Sequence, residues 1–147
     1  MIDLSVMRAQ HRKFSGDVAR AVAQITAEAA QNAEQIAKNL IRPHNRTGKL
    51  FRATRGRVVA IPRGKEVRLE NNAAYAEYFE SGTGAHEIPA RRRRFLRFVI
   101  GGTVFYRRRV FHKGSRAFLV FSTARDRAFA DGGKDLKTRI EALARTF

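Results

Sequence analysis

Arginine, histidine and glutamate are the chemistry-bearing residues of this chain, and they crowd into its second half. From Ile88 to Arg116 there are ten Lys/Arg and no acid, including the run Arg91-Arg92-Arg93-Arg94 and the triplet Arg107-Arg108-Arg109. Permanently charged, forked guanidinium donors suit phosphate, nucleic acid or an acidic protein partner. A block of one sign repels itself, so something of opposite charge is expected against it. The acids Glu77, Glu80 and Glu87 precede the block and bracket Gly82-Thr83-Gly84.

Catalytic readings of these residues are thin. None of the four histidines, His11, His44, His86 and His112, stands in an H-x-H or H-E-x-x-H spacing, so they read as loop or surface residues rather than metal ligands. His44-Asn45 lacks the ββα arrangement of a metal nuclease. Gly82-Thr83-Gly84 follows a helical segment instead of a strand and lacks a Gly-Lys-Ser/Thr ending, which makes it a helix C-cap and turn rather than a phosphate loop. Glu77 and Glu80, three apart, are expected to meet arginines of this chain or a neighbour. Arg107, Arg108, Arg109 and His112 on one strand allow a small basic ribonuclease of the toxin type as an enzyme alternative. Strand alternation would put Arg107 and Arg109 on one face and Arg108 on the other. Phe95, Phe98, Phe105 and Tyr106 lie among the arginines, which allows a nucleic-acid-binding module; alternation assigns at least half of them to a buried face. No catalytic residue, metal site or cofactor site is identified, and the reading is non-enzymatic.

The elements that must hold these residues fit one α+β domain spanning 1–147. Its 147 residues are 44% hydrophobic and contain no cysteine, which excludes disulfides and thiolate sites. No apolar run approaches a membrane span, and Met1-Ile2-Asp3-Leu4-Ser5 lacks the form of a secretory signal. Net charge is +17; residues 1–42 carry +2 and residues 131–147 carry +1, leaving +14 to the middle.

Leu4, Met7, His11, Phe14, Val18, Val22, Ile25, Ala29, Ala33, Ile36 and Leu40 recur at helical spacing. They predict a long N-terminal helix over 1–42, capped by Asp3 or Ser5, ended by Pro43 and broken near Ser15-Gly16-Asp17. Its Ala-rich half is expected to pack on a sheet, leaving part of the helix for a neighbouring subunit. Residues 43–116 read as a four-stranded, mostly antiparallel sheet. Thr47 caps a short turn that buries Leu50 and Phe51, and Val58–Ile61 pairs with Val67–Leu69 across Pro62-Arg63-Gly64-Lys65. Ala73–Glu80 is helical, with Tyr75, Tyr78 and Phe79 roughly on one side. Phe95–Ile100 pairs with Thr103–His112 across Gly101-Gly102, and residues 82–94 project as a long loop. Residues 117–147 read as a C-terminal helical segment, interrupted at Gly132-Gly133, with Leu136, Ile140, Leu143 and Phe147 on a packing face.

Six motifs in order resemble the tail-completion and head–tail joining (neck) proteins of long-tailed bacteriophages. They are Pro43 with Thr47-Gly48-Lys49-Leu50; Tyr75-Ala76-Glu77-Tyr78-Phe79-Glu80-Ser81-Gly82-Thr83; Ile88-Pro89; Leu96-Arg97-Phe98; His112-Lys113-Gly114; and Phe118-Leu119-Val120-Phe121-Ser122-Thr123-Ala124. The match covers roughly residues 36–130. The Arg91–Arg94 run is more basic than is usual there, and Phe118 lacks the proline that often precedes it. The resemblance implies a structural virion protein, assembled in the host cytoplasm and carried in the neck or tail. It implies a ring of copies, commonly six, placed between connector or portal-side proteins and the tail tube, with genomic DNA passing and no membrane. Ring contacts are heterologous. Glu77, Glu80 and Glu87 on one side and Arg91–Arg94 with Arg107–Arg109 on the other are the expected halves of one such contact, and some arginines are candidates to line a DNA channel. The loop over 82–94, with Gly82, Thr83 and Gly84 at its hinge, is expected to order against a neighbour.

Overall fold

The computed structural model describes residues 4–62 and 64–145. The Asp3 cap, Arg63 of the first hairpin turn and Phe147 of the last stripe lie outside the described residues. The fold is α+β, with a long N-terminal helix, small antiparallel ladders and a C-terminal helix. The chain groups into two compact units, Met1–Ala76 with Val120–Phe147, and Glu77–Leu119.

In the first unit, helix α1 (Leu4–Ile41) runs unbroken through Ser15-Gly16-Asp17. The expected break does not form: the Ser15 hydroxyl bonds back to the Arg12 carbonyl at 3.0 Å, and Asp17 pairs with Arg20 one turn on. Ile25, Ala29, Ala33, Ala37 and Ile41 fall four apart and form one ridge. Helix α4 (Val120–Ala144) answers with Val120, Ala124, Ala128 and Gly132, also four apart. These small residues let the helices approach closely, and Ile25, Ala33, Ala37, Ile41, Val120, Ala124 and Ala128 are buried. The helices are antiparallel: Asn32 donates to Asp131 at 3.5 Å, and Arg139 pairs with Glu28 at 2.8 Å. Gly132-Gly133 does not interrupt α4. A Cβ at Gly132 would sit 3.6 Å from Ala29 Cβ, ordinary contact distance, so the glycine lies at the helix crossing. The N-terminal half of the expected stripe stays more open, with Met7 54% and Val22 38% exposed.

Pro43 ends α1 as expected, in a 3-10 turn over Arg42–His44. Thr47 does not cap the next helix, α2 (Lys49–Ala53). The cap is Gly48, whose φ of 76° is a left-handed conformation that Thr would resist. Leu50 is buried and Phe51 half-buried. Strands β1 (Thr54–Ile61) and β2 (Gly64–Asn71) form a longer hairpin than Val58–Ile61 and Val67–Leu69 suggested. Its base is locked by fully buried Thr54, which donates to the Leu50 carbonyl at 2.9 Å. The Asn71 side-chain amide donates to that carbonyl and to the Thr54 hydroxyl, each at 2.8 Å, and its oxygen accepts from the Ala73 amide at 2.9 Å.

The second unit differs most from expectation. It begins in helix α3 (Ala76–Ser81) and holds β3 (His86–Pro89), β4 (Leu96–Ile100), β5 (Thr103–Arg107) and β6 (Arg109–His112). The expected four-stranded sheet is instead three two-stranded ladders: β1–β2, β3–β6 and β4–β5. Two causes are local. The expected strand Thr103–His112 bends at Arg108, and His86–Pro89, expected in a loop, finds backbone partners in β6. Of the aromatic face expected on α3, Phe79 turns inward, whereas Tyr75 and Tyr78 are 41% and 59% exposed.

Candidate assembly and polyanion interface

All the residues singled out from sequence, from Glu77 to Arg109, fall in the second unit. Its strands are successive stretches of one antiparallel ribbon. His86 faces His112 and Pro89 faces Arg109; farther along, Leu96 faces Arg107 and Ile100 faces Thr103. Between Pro89 and Leu96 the first side of the ribbon has six residues, and the second side has Arg108 alone. The Ala90 amide still bonds the Arg108 carbonyl at 2.8 Å, so the extra length, Arg91–Phe95, is a bulge opposite Arg108. Such insertions bend a ribbon and re-aim its side chains. The projecting loop expected over 82–94 shrinks to this bulge, because residues 83 and 86–90 are paired.

The bulge gathers Arg91, Arg92, Arg93 and Arg94 opposite Arg108, with Arg107 and Arg109 on either side of it. Because the chain bends at Arg108, Arg107 and Arg109 belong to different ladders and do not share one strand face as expected. Phe95, 40% exposed, has the guanidinium carbons of Arg94 and Arg108 at 5.5 and 5.9 Å from its ring centroid. Arg107 stands 6.0 Å from the Phe105 ring. These are cation–π distances, and they restrain side chains that would otherwise sweep freely. Phe98 and Phe105 stack at 5.8 Å and cover one another, while Tyr106 is 56% exposed. Sequence reasoning placed Phe95 among the arginines but missed the contact of its ring with two of them, which depends on the bulge.

At the other end of the ribbon the glycine motif has a structural task. Gly82, with φ of 74°, follows the last residue of α3, and a Cβ there would lie 2.5 Å from the Ser115 carbonyl oxygen. Thr83 and Ser115 exchange two backbone hydrogen bonds at 3.0 Å, and the Ser115 amide also reaches the Thr83 hydroxyl at 3.1 Å. Gly114 must also be small, since a Cβ would meet the Thr83 carbonyl oxygen at 2.4 Å; Gly84 has open space around it. Phe79 and Phe118 stack at 4.5 Å with planes 7° apart, and the Phe118 amide bonds the Phe79 carbonyl.

Charge is unbalanced throughout this unit. Ten Lys/Arg stand against Glu77, Glu80 and Glu87, a surplus of +7. Glu87 pairs with Arg109 at 3.4 Å. Among the described residues, Arg91–Arg94, Arg97, Arg107, Arg108, Lys113 and Arg116 have no ion pair. His86 Nδ1 donates to the Gly84 carbonyl at 2.9 Å, and His112 Nδ1 accepts from the Gly114 amide at 3.1 Å, so both rings brace turns. Among the described residues no group of three or more His, Cys, Asp or Glu gathers as a metal-binding set, and no helix is long and apolar enough to cross a membrane. The arrangement offers fixed positive charge and hydrogen-bond donors.

No described residue of the second unit is buried. The ribbon tip, Phe98 to Tyr106, carries no charge; its turn at Gly101-Gly102 has φ of 56° and 84°, and Val99 and Ile100 beside it are 53% and 63% exposed. Phe111 is 71% exposed. Comparison with protein-family models, with curated proteins and with solved structures finds no match to this chain.

Proposed function

We propose that this chain is a structural subunit of the neck of a long-tailed bacteriophage, joining or completing the tail as one copy in an oligomeric ring. The order of the motifs resembles that of this family, and one observation supports the assembly role most strongly. The second unit holds exposed Val99, Ile100, Tyr106 and Phe111 with no buried residue of its own. An isolated two-stranded ribbon is marginal in water, so this one gains its missing core from another surface. Exposed apolar area beside a polar rim is what an interaction site looks like before its partner arrives. In this reading the ribbon tip docks on a neighbouring copy or on a connector or tail-tube protein, and no bond is made or broken.

Light scattering of the purified chain and mass spectrometry of purified virions test the proposal together. Multimers in solution, or the polypeptide in particles, are the expected results. A chain that is monomeric at high concentration and missing from virions ends it.

A further inference from the structure

A ring built only from this chain cannot neutralise the ribbon. Outside the second unit, twenty Lys/Arg stand against ten Asp/Glu, so the remainder of each copy is itself at +10. Each added copy therefore brings more repulsion, and the counter-charge must come from a different molecule. From the bulge geometry we infer that the bulge carrying Arg91–Arg94 and Arg108 is a sequence-independent binding surface for the phosphate backbone of double-stranded DNA. This inference goes beyond the ring reading and does not rest on it.

Three features favour a phosphate backbone over an acidic protein surface. The register places five arginines, Arg91–Arg94 and Arg108, on the two sides of one bulge, a density of charge that suits a polymer bearing one charge per about 1.7 Å of axis. All five are guanidinium groups without a carboxylate, and the guanidinium fork matches phosphate oxygens with two donors at once. Phe95 keeps Arg94 and Arg108 within 6 Å of its ring centre, so part of the ordering cost of binding is met before DNA arrives. That same arrangement occupies the ring with cations instead of leaving it free to stack bases, which favours the duplex backbone over a single strand. Nothing here reads base edges, so affinity is indifferent to sequence.

The test uses the full chain and two 30-base-pair DNA duplexes of unrelated sequence, followed by fluorescence anisotropy from 50 to 200 mM salt. The two duplexes are expected to bind equally. The slope of log affinity against log salt should be about −4 to −6, as five to seven phosphate contacts require. Replacing Arg94 and Arg108 by Gln should flatten the slope by about 2 and weaken binding about tenfold or more at the lowest salt. Phe95→Leu should weaken binding a few-fold with the slope nearly kept, because it removes the brace and no charge. Arg125→Gln on α4 is the control and should change neither quantity beyond one contact's worth. Circular dichroism of each variant confirms that the fold persists. The inference is overturned if the Arg94/Arg108 pair leaves the slope unchanged, if poly-glutamate competes as well as duplex DNA, or if single strands bind more tightly. DNA binding by a chain that stays monomeric and is missing from virions would support this inference and sink the ring reading; particles containing a chain with no DNA affinity would do the reverse.

Discussion

The amide of Gly56 donates to the Glu34 carboxylate at 2.8 Å, which ties strand β1 to helix α1. The contact needs glycine: a Cβ at position 56 would lie 1.9 Å from the Ala30 carbonyl oxygen, where neither backbone can yield cheaply. Gly56→Ala should therefore destabilise the protein by about 1–3 kcal/mol, the usual range for overpacking. Chemical denaturation followed by circular dichroism would check this; an unchanged midpoint would show that the helix–strand contact is looser than described.

Glu34 also gives the protein an acid-sensitive joint. Its pKa lies below the ordinary 4.5, chiefly because Lys38 bonds and pairs with the carboxylate, and next because the Gly56 amide does. A carboxylate with a lowered native pKa adds stability that is fully present above its unfolded pKa and is lost as pH falls through the native one. Glu34→Gln should cost about 1 kcal/mol at neutral pH, since the group is partly exposed. It should also shrink the loss of stability below the ordinary carboxylate range. Thermal melts of both proteins from pH 7 to pH 3 would show the two curves converging as pH drops.

Gly133 sits inside α4 with open space around the position of a Cβ. Glycine in a helix interior costs up to about 1 kcal/mol relative to alanine. Gly133→Ala should raise the melting temperature by a few degrees. A drop would mean that a partner or the backbone uses the glycine in a way the isolated chain does not reveal.

At the clasp, Gly82→Ala adds a methyl group beside the Ser115 carbonyl and forces a left-handed φ on alanine. The expected effect is local: the Thr83–Ser115 bonds open while the alanine-lined helix pair, in the other unit, is unaffected. Hydrogen exchange should rise at the Thr83 and Ser115 amides, and trypsin should cut faster at Arg91–Arg94. Uniform protection loss in α1 and α4 would contradict this.

The ribbon tip bears on assembly. Val99→Ser with Ile100→Ser removes exposed apolar surface without opening a core, so melting should stay within about 0.5 kcal/mol of the parent. Multimers seen by light scattering should nonetheless fall apart. Multimers that survive the double change would place the contact elsewhere.

Much of the frame was legible because it is written in short-range patterns. The Ile25–Ala29–Ala33 spacing, the stop at Pro43 and the Gly101-Gly102 hairpin all depend on neighbours within a few residues, although beyond Ala33 the buried positions are Ala37 and Ile41 rather than the expected Ile36 and Leu40. The rule of local chemistry also misled where packing overrode it. Gly16 and Gly132-Gly133 looked like helix breaks, yet α1 and α4 run through them; at Gly132 contact with Ala29 at the crossing outweighs the weak propensity of a single glycine. Thr47 looked like a cap, but the backbone there needs the positive φ that Gly48 supplies.

Residue order by itself determined the α+β class, the long first helix and the positive surplus between Ile88 and Arg116. Tertiary structure alone decided that Pro89 faces Arg109 while Leu96 faces Arg107, and so that an arginine run bulges opposite Arg108. Helical periodicity is carried by residues three or four apart, whereas strand register is a pairing between residues distant in the chain. Which cations converge is a property of that pairing, and alternation along one strand carries no trace of it.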